Sequence, residues 1–173
     1  YGNALFIFLN TNNFSKNEHE RFIKKATSNS KDIKWKIVVM HEDIYGAGTH
    51  SNEPNTIKIR YRLAPIFEKY GIDVVFSGHD HSYSRSEILK GGKQDENNLI
   101  SENDYNSYIS GKLLKDDKYN NYIKSIQDTN AIVKVNKEEN DSDIKVTNPD
   151  GVLYITAGSS TGSKYYDLQK EKQ

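Results

Sequence analysis

An α/β fold on a mainly parallel sheet is what this 173-residue sequence predicts, and three observations carry the expectation. Short apolar runs of the buried-strand type recur at Ala4–Leu9, Trp35–Met40, Ile72–Ser77 and Val152–Ala157. The segments between the first three runs carry helical spacing, and strands alternating with helices point to βαβ crossovers. The length is that of one domain with one core.

The elements follow in order. After the first strand, Ser15-Lys16-Asn17-Glu18 has the spacing of a capping box, with Ser15 as N-cap and Glu18 reaching back to its backbone N–H. Phe22, Ile23 and Ala26 then give a helix a narrow apolar face, and His19, between Glu18 and Glu20, is expected at the surface. The strand over 35–40 leads into a loop from Glu42 to about Asn55 that holds Gly46, Gly48 and Pro54. Ile59, Leu63, Ile66, Phe67 and Tyr70 recur at three- and four-residue steps, a helix pattern closed by Gly71 as C-terminal cap. The strand over 72–77 completes a β-α-β-α-β order. Residues 82–89 read as extended, and Gly91-Gly92 breaks them.

Residues 93–149 are rich in Asn, Asp, Lys and Ser, with apolar residues too sparse for a core layer, and read as a surface insertion. Within it Tyr119, Tyr122, Ile123 and Ile126 predict one short amphipathic helix. Ala131–Val135 with Ile144–Val146 predict an edge hairpin. Pro149-Asp150-Gly151 is a turn signal, and the strand over 152–157 rejoins the core.

Composition excludes several function classes. Lys+Arg and Asp+Glu both number 24, which leaves no electrostatic footprint for nucleic acid or an anionic membrane surface. No apolar stretch approaches the length that spans a bilayer. There is no Cys, so thiolate metal sites and Cys nucleophiles are ruled out. Tyr1-Gly2-Asn3 is neither an initiator Met nor a signal peptide and runs straight into a strand of internal type. The expectation is a piece of a longer protein.

The chemistry concentrates at strand ends. Gly78-His79-Asp80-His81 follows the apolar run over 72–76, where the Gly permits a sharp turn and residues two apart share a face of an extended chain. His41 ends a second strand. Histidine is the commonest protein ligand for transition metals, and the carboxyl edge of an open α/β sheet is where ligands collect. Asp80 is expected to point away from the face its neighbours share.

Val38-Val39-Met40-His41 and Gly78-His79-Asp80-His81 resemble the later motifs of the calcineurin-like metallophosphoesterase superfamily, in its purple acid phosphatase-like branch. Ser82-Tyr83-Ser84-Arg85-Ser86 and the Gly/Ser-rich Ala157–Lys164 are similar to flanking segments of that branch. The match covers residues 1 to about 92 and resumes from about 149 to 168. The resemblance implies the C-terminal half of a metallophosphoesterase β-sandwich flanked by helices, over 1–173, with a mixed sheet and the polar insertion at 93–149.

It also implies ligands, with His41 and His79 on one metal and His81 on the other. The family's remaining ligand motifs, Asp-x-His or Asp-x-Gly, Gly-Asp-x-x-Asp/Tyr and Gly-Asn-His-Glu/Asp, are absent from this sequence. The implied protein is a dinuclear-metal phosphoric ester hydrolase that attacks phosphate esters with a metal-bound hydroxide, its two divalent or trivalent ions drawn from Fe, Zn or Mn. The implied partners are the phosphate-ester substrate and the N-terminal half of the same domain, and the implied location is secreted or at the cell surface. Three neutral histidines divided between two sites do not neutralise two metals, so this chain alone is expected to be inactive. The alternative is a non-catalytic surface or binding module that keeps the fold. Monoester, diester and nucleotide substrates stay open.

His50 stands where relatives place a histidine that contacts the phosphate or protonates the leaving group; a solvated loop histidine is the other reading. Tyr45, Tyr83 and Arg85 are pocket-lining candidates, with structural roles as the alternative.

Overall fold

The computed structural model describes residues 2–13, 15–29, 32–135, 137–140 and 143–158. The elements are β1 (Ala4–Phe8), α1 (Lys16–Ser28), β2 (Trp35–Val39), α2 (Pro54–Lys69), β3 (Val74–Ser77), β4 (Tyr83–Leu89), α3 (Glu102–Ile109), α4 (Asp117–Ser125), β5 (Lys137–Asn140), β6 (Asp143–Val146) and β7 (Val152–Ala157). Five strands form one mixed sheet in the order β1-β2-β3-β7-β4, parallel except for β4 against β7. The expected α/β class and mixed sheet are what the chain adopts. Beyond Gly158, the Gly/Ser-rich segment lies outside the described residues.

Because β1, β2 and β3 are sequential neighbours, right-handed crossovers carry both connecting helices to one face. That face is the core. The register row Ile7, Val38, Val75 and Tyr154 is buried across four strands, under Ile23 of α1 and Ile59, Leu63, Ile66 and Phe67 of α2. The alternate rows, Phe6-Ile37-Val74-Leu153 and Phe8-Val39-Phe76-Ile155, point the other way. Phe6, Phe8 and Trp35 there are 45%, 70% and 55% exposed, and the other members are half-buried. Parallel sheets are normally covered on both sides, so this apolar face is unusual.

At the start of α1, Ser15 Oγ accepts from the Glu18 N–H, but the reciprocal arm differs from expectation. The Ser15 N–H donates to Asn13 Oδ1 at 2.9 Å, and the Glu18 carboxylate accepts from the Asn13 amide. Asn13 thus replaces the second half of the box. His19 is buried rather than at the surface, its Nε2–H donating to the Asn10 carbonyl at 3.1 Å. It takes the inner position one turn before Ile23, while Phe22 is half exposed. The helix α2 opens with Pro54 at its first position and ends before Gly71, whose φ of +62° suits a residue without Cβ.

The insertion is less sparse than its composition implies. Helices α3 and α4 bury Tyr105, Tyr108, Tyr119, Tyr122 and Ile123 with Ile100 and Ile126, against Ile57 of α2. This is a second core, made of rings rather than aliphatic chains, and α2 is the wall between the two. Arg60 of α2 is fully buried and donates to the carbonyls of Ile44 at 2.5 Å and Ile126 at 2.8 Å, with its guanidinium 4.4 Å above the Tyr45 ring. The predicted helix over Tyr119–Ile126 is α4; α3 was not anticipated. The hairpin forms between β5 and β6, whereas Ala131–Val133 instead bonds the end of β4, with the Val133 N–H donating to the Ile88 carbonyl at 2.8 Å.

Candidate metal centre

Strands β2 and β3 end side by side, and the ladder continues one step beyond them: the Gly78 N–H donates to the His41 carbonyl at 3.1 Å. This holds His41 and His79 at the same edge. Gly78 leaves room above His41, and His79 then turns with φ +63°, a left-handed conformation rare for a residue with a side chain. The imidazoles meet edge to face, with centroids 4.9 Å apart and His41 Nε2 3.0 Å from His79 Nδ1. The turn means that strand alternation does not govern residues 79–81.

His50 joins them from the loop before α2. Its ring lies 4.7 Å from that of His79, and its Nδ1 lies 2.6 Å from Glu53 Oε1. Among the described residues, His50, Glu53 and His79 form the group whose ligand-capable atoms converge. His41 adjoins it through His79. His81 is half-buried and lies outside that group of three.

Glu53 was missed in the sequence. Its signal was its position three residues after His50 and immediately before Pro54, which starts α2 and so fixes where the 50–53 turn can point. Tyr45 proves structural, its hydroxyl donating to Asp128 Oδ2 at 2.8 Å and its ring packed on Tyr154. Tyr83 and Arg85 are exposed on β4.

Two buried aspartates underlie the loop. Asp80 is buried and accepts from the His50 N–H, the Ser51 N–H and Ser51 Oγ at 3.3, 3.0 and 2.7 Å. Asp43 lies nearby, with Ser77 Oγ donating to its Oδ1 at 3.3 Å. Burial pushes the Asp43 carboxyl up to about 6, against the opposing hydrogen bonds of Thr156, Ser51 and Ser77. Gly46 and Gly48 are required here, because a Cβ at either would overlap the Asp43 or Asp80 carboxylate.

The donor set fits a transition metal. Two nitrogens each about 2.0–2.1 Å from one ion lie roughly 3 Å apart, which is the separation His41 and His79 already hold. Imidazole with carboxylate suits Zn, Fe and Mn.

A family model for calcineurin-like phosphoesterases matches residues 3–83. Over that stretch the chain is similar to calcineurin-like phosphoesterases. The stretch contains both histidine-bearing strand ends and the His50 loop. Among curated relatives, a purple acid phosphatase of Glycine max is 42% identical over 60 residues, 34% of this chain and 12% of that protein. The Fe(3+)-Zn(2+) purple acid phosphatase 12 of Arabidopsis thaliana is 40% identical over 60 residues, with the same shares. An uncharacterized protein of Mycobacterium tuberculosis is 31% identical over 81 residues, 45% of this chain and 15% of its own length. The matches therefore span less than a sixth of these relatives. No helix among the described residues is long and apolar enough to cross a membrane.

Proposed function

We propose that this chain supplies one wall of a dinuclear-metal phosphoesterase centre in a longer, secreted or surface protein that hydrolyses phosphate esters. The observation that carries the reading is the 3.0 Å approach of His41 Nε2 to His79 Nδ1 at adjoining strand ends, inside a segment of phosphoesterase type. His41 and His79 would hold one ion, and His81 would serve the second. The ions would supply Lewis-acid activation of water and neutralise charge on the phosphoryl oxygens.

The chain's own residues have separable tasks. His50, with its Nδ1–H donated to the Glu53 carboxylate, is held in one tautomer and keeps Nε2 for a proton directed at the leaving oxygen. Asp80 holds the backbone beneath it. The partly exposed apolar rows of the sheet are where the other half of the domain would pack, adding the carboxylate and Asn ligands that this sequence lacks. Relatives named as purple acid phosphatases favour a monoester substrate.

The test is an assay of the full-length protein on an aryl phosphate, with metal content measured in parallel. Chelation or His79→Ala should abolish turnover and lower bound metal, and His50→Ala should reduce kcat by about a hundredfold while leaving metal bound. Turnover that survives both chelation and His79→Ala would sink the reading, and a full-length protein with neither turnover nor bound metal would favour a non-catalytic module with this fold.

A further inference from the structure

The turn that carries His50 and Glu53 is gripped on two opposite sides. Its amides face the double-histidine motif, since the N–H groups of His50 and Ser51 both donate to Asp80. Its carbonyls face the insertion. Tyr105 of α3 donates its hydroxyl to the Thr49 carbonyl at 2.7 Å, and Tyr122 of α4 donates to the Asn52 carbonyl at 2.6 Å. Arg60 Nη2 reaches the Ser51 carbonyl at 3.4 Å, and the Asn55 N–H donates to Glu102 Oε2 at the start of α3.

The two hydroxyls are placed for this contact and are not incidental to the tyrosine core. Tyr105 and Tyr122 are both fully buried, and phenylalanine would fill the same volume without a polar atom to satisfy. Tyr119, packed among the same rings, has a buried hydroxyl with no hydrogen-bond partner among the described residues. Ring packing and hydrogen bonding to the turn are thus separable properties of this cluster. Burial also pushes the Tyr105 and Tyr122 hydroxyls well above the ordinary tyrosine range, so both remain donors at any pH where the fold persists.

We propose that Tyr105 and Tyr122 are positioning residues: their hydroxyls fix the turn bearing His50 and Glu53 beside His79, so the insertion sets the placement of that pair. The consequence for catalysis rests on the function proposed above; the holding of the turn does not. Asp80 defines the position of the turn from the side of the double-histidine motif. Two hydroxyls on two separate helices supply that definition from behind the site.

The experiment uses the full-length protein with Tyr105→Phe, Tyr122→Phe and the double variant, and Tyr119→Phe as the ring-core control. Backbone hydrogen exchange, read by mass spectrometry on peptides covering 49–56, should accelerate on the order of fivefold for each hydroxyl removed, with exchange in 16–28 unchanged. Tyr119→Phe should leave both peptides unchanged. On an aryl phosphate the double variant should lower kcat about tenfold at unchanged KM, and this loss should vanish in a His50→Ala background. Unchanged exchange over 49–56, or an equal effect from Tyr119→Phe, would overturn the proposal. So would faster exchange with an unaltered kcat in an active protein. A protein that hydrolyses no phosphate ester would defeat the functional reading alone, and the exchange result would still decide whether the hydroxyls hold the turn.

Discussion

On one side of α2, Ile7, Val38, Val75, Leu63, Ile66 and Phe67 pack sheet against helix with aliphatic chains and one benzyl ring. On the other side, Tyr105, Tyr108, Tyr119 and Tyr122 pack ring on ring around Ile57, with centroid separations of 5.2 to 6.5 Å. The first core acts mainly through shape and area, with Tyr154 its one buried hydroxyl-bearing ring among the described residues. The second has a hydroxyl on every ring, and two of those hydroxyls leave the cluster to bind carbonyls of the His50 turn. An apolar core can hold a site only by supporting its backbone from beneath, whereas a tyrosine core can also bond to it directionally.

The largest expected effect tests where the folding free energy resides. Phe67 is fully buried between α2 and the sheet, so Phe67→Ala should cost about 3–5 kcal/mol in urea unfolding through lost transfer energy and a residual cavity. A loss below about 1 kcal/mol would mean that the sheet core is loosely packed, and would shift the weight of stability to the tyrosine side.

Alkali acts on the tyrosines of both cores in one direction, and on the insertion at more positions. Burial, its main cause, pushes the hydroxyls of Tyr105 and Tyr122 up in the folded state, while an unfolded tyrosine ionises near pH 10. Above about pH 10 the unfolded chain has released protons that the native chain retains, so stability falls as pH rises through that value. Tyr154 in the sheet core and Tyr45 packed against it share the direction, but Tyr105, Tyr108 and Tyr122 make the insertion the larger contributor among the described residues. Tyrosinate absorbance should therefore appear cooperatively with loss of exchange protection in 102–125, before protection is lost in 16–28. Gradual ionisation near pH 10 with protection intact would show that these rings are open to water.

What the sequence disclosed follows the same division. The sheet and its two helices were legible because isoleucine, valine and leucine announce their period, and β7 was found from Val152-Leu153-Tyr154-Ile155 even after a long polar interval. The meeting of His41 with His79 was legible because each follows the end of a strand. Residues 93–149 looked coreless because tyrosine among Asn, Asp and Lys does not register as an apolar layer, although a ring buries as much surface as an aliphatic chain. Glu53 and Asp80 were harder still. Their importance lies in partners 30 residues or so away in sequence or in a turn whose direction only the packed helix sets. His19 misled for a related reason: flanking charges suggest solvent, yet its ring bonds a carbonyl at the end of β1.

The smallest effect is the sharpest division within the tyrosine core itself. Tyr119→Phe removes a buried hydroxyl that has no hydrogen-bond partner among the described residues, so folding regains the desolvation penalty of that group and loses no bond. Stability should stay within about 0.5 kcal/mol of the parent or rise slightly. Tyr122→Phe keeps the ring and loses a 2.6 Å hydrogen bond to the Asn52 carbonyl, and should cost about 0.5–1.5 kcal/mol. Because the two rings occupy one cluster and the two substitutions delete the same atom, their difference isolates the bond to the turn from the packing. Equal effects would mean that the hydroxyls are bystanders and that the second core, like the first, acts on the site through shape alone.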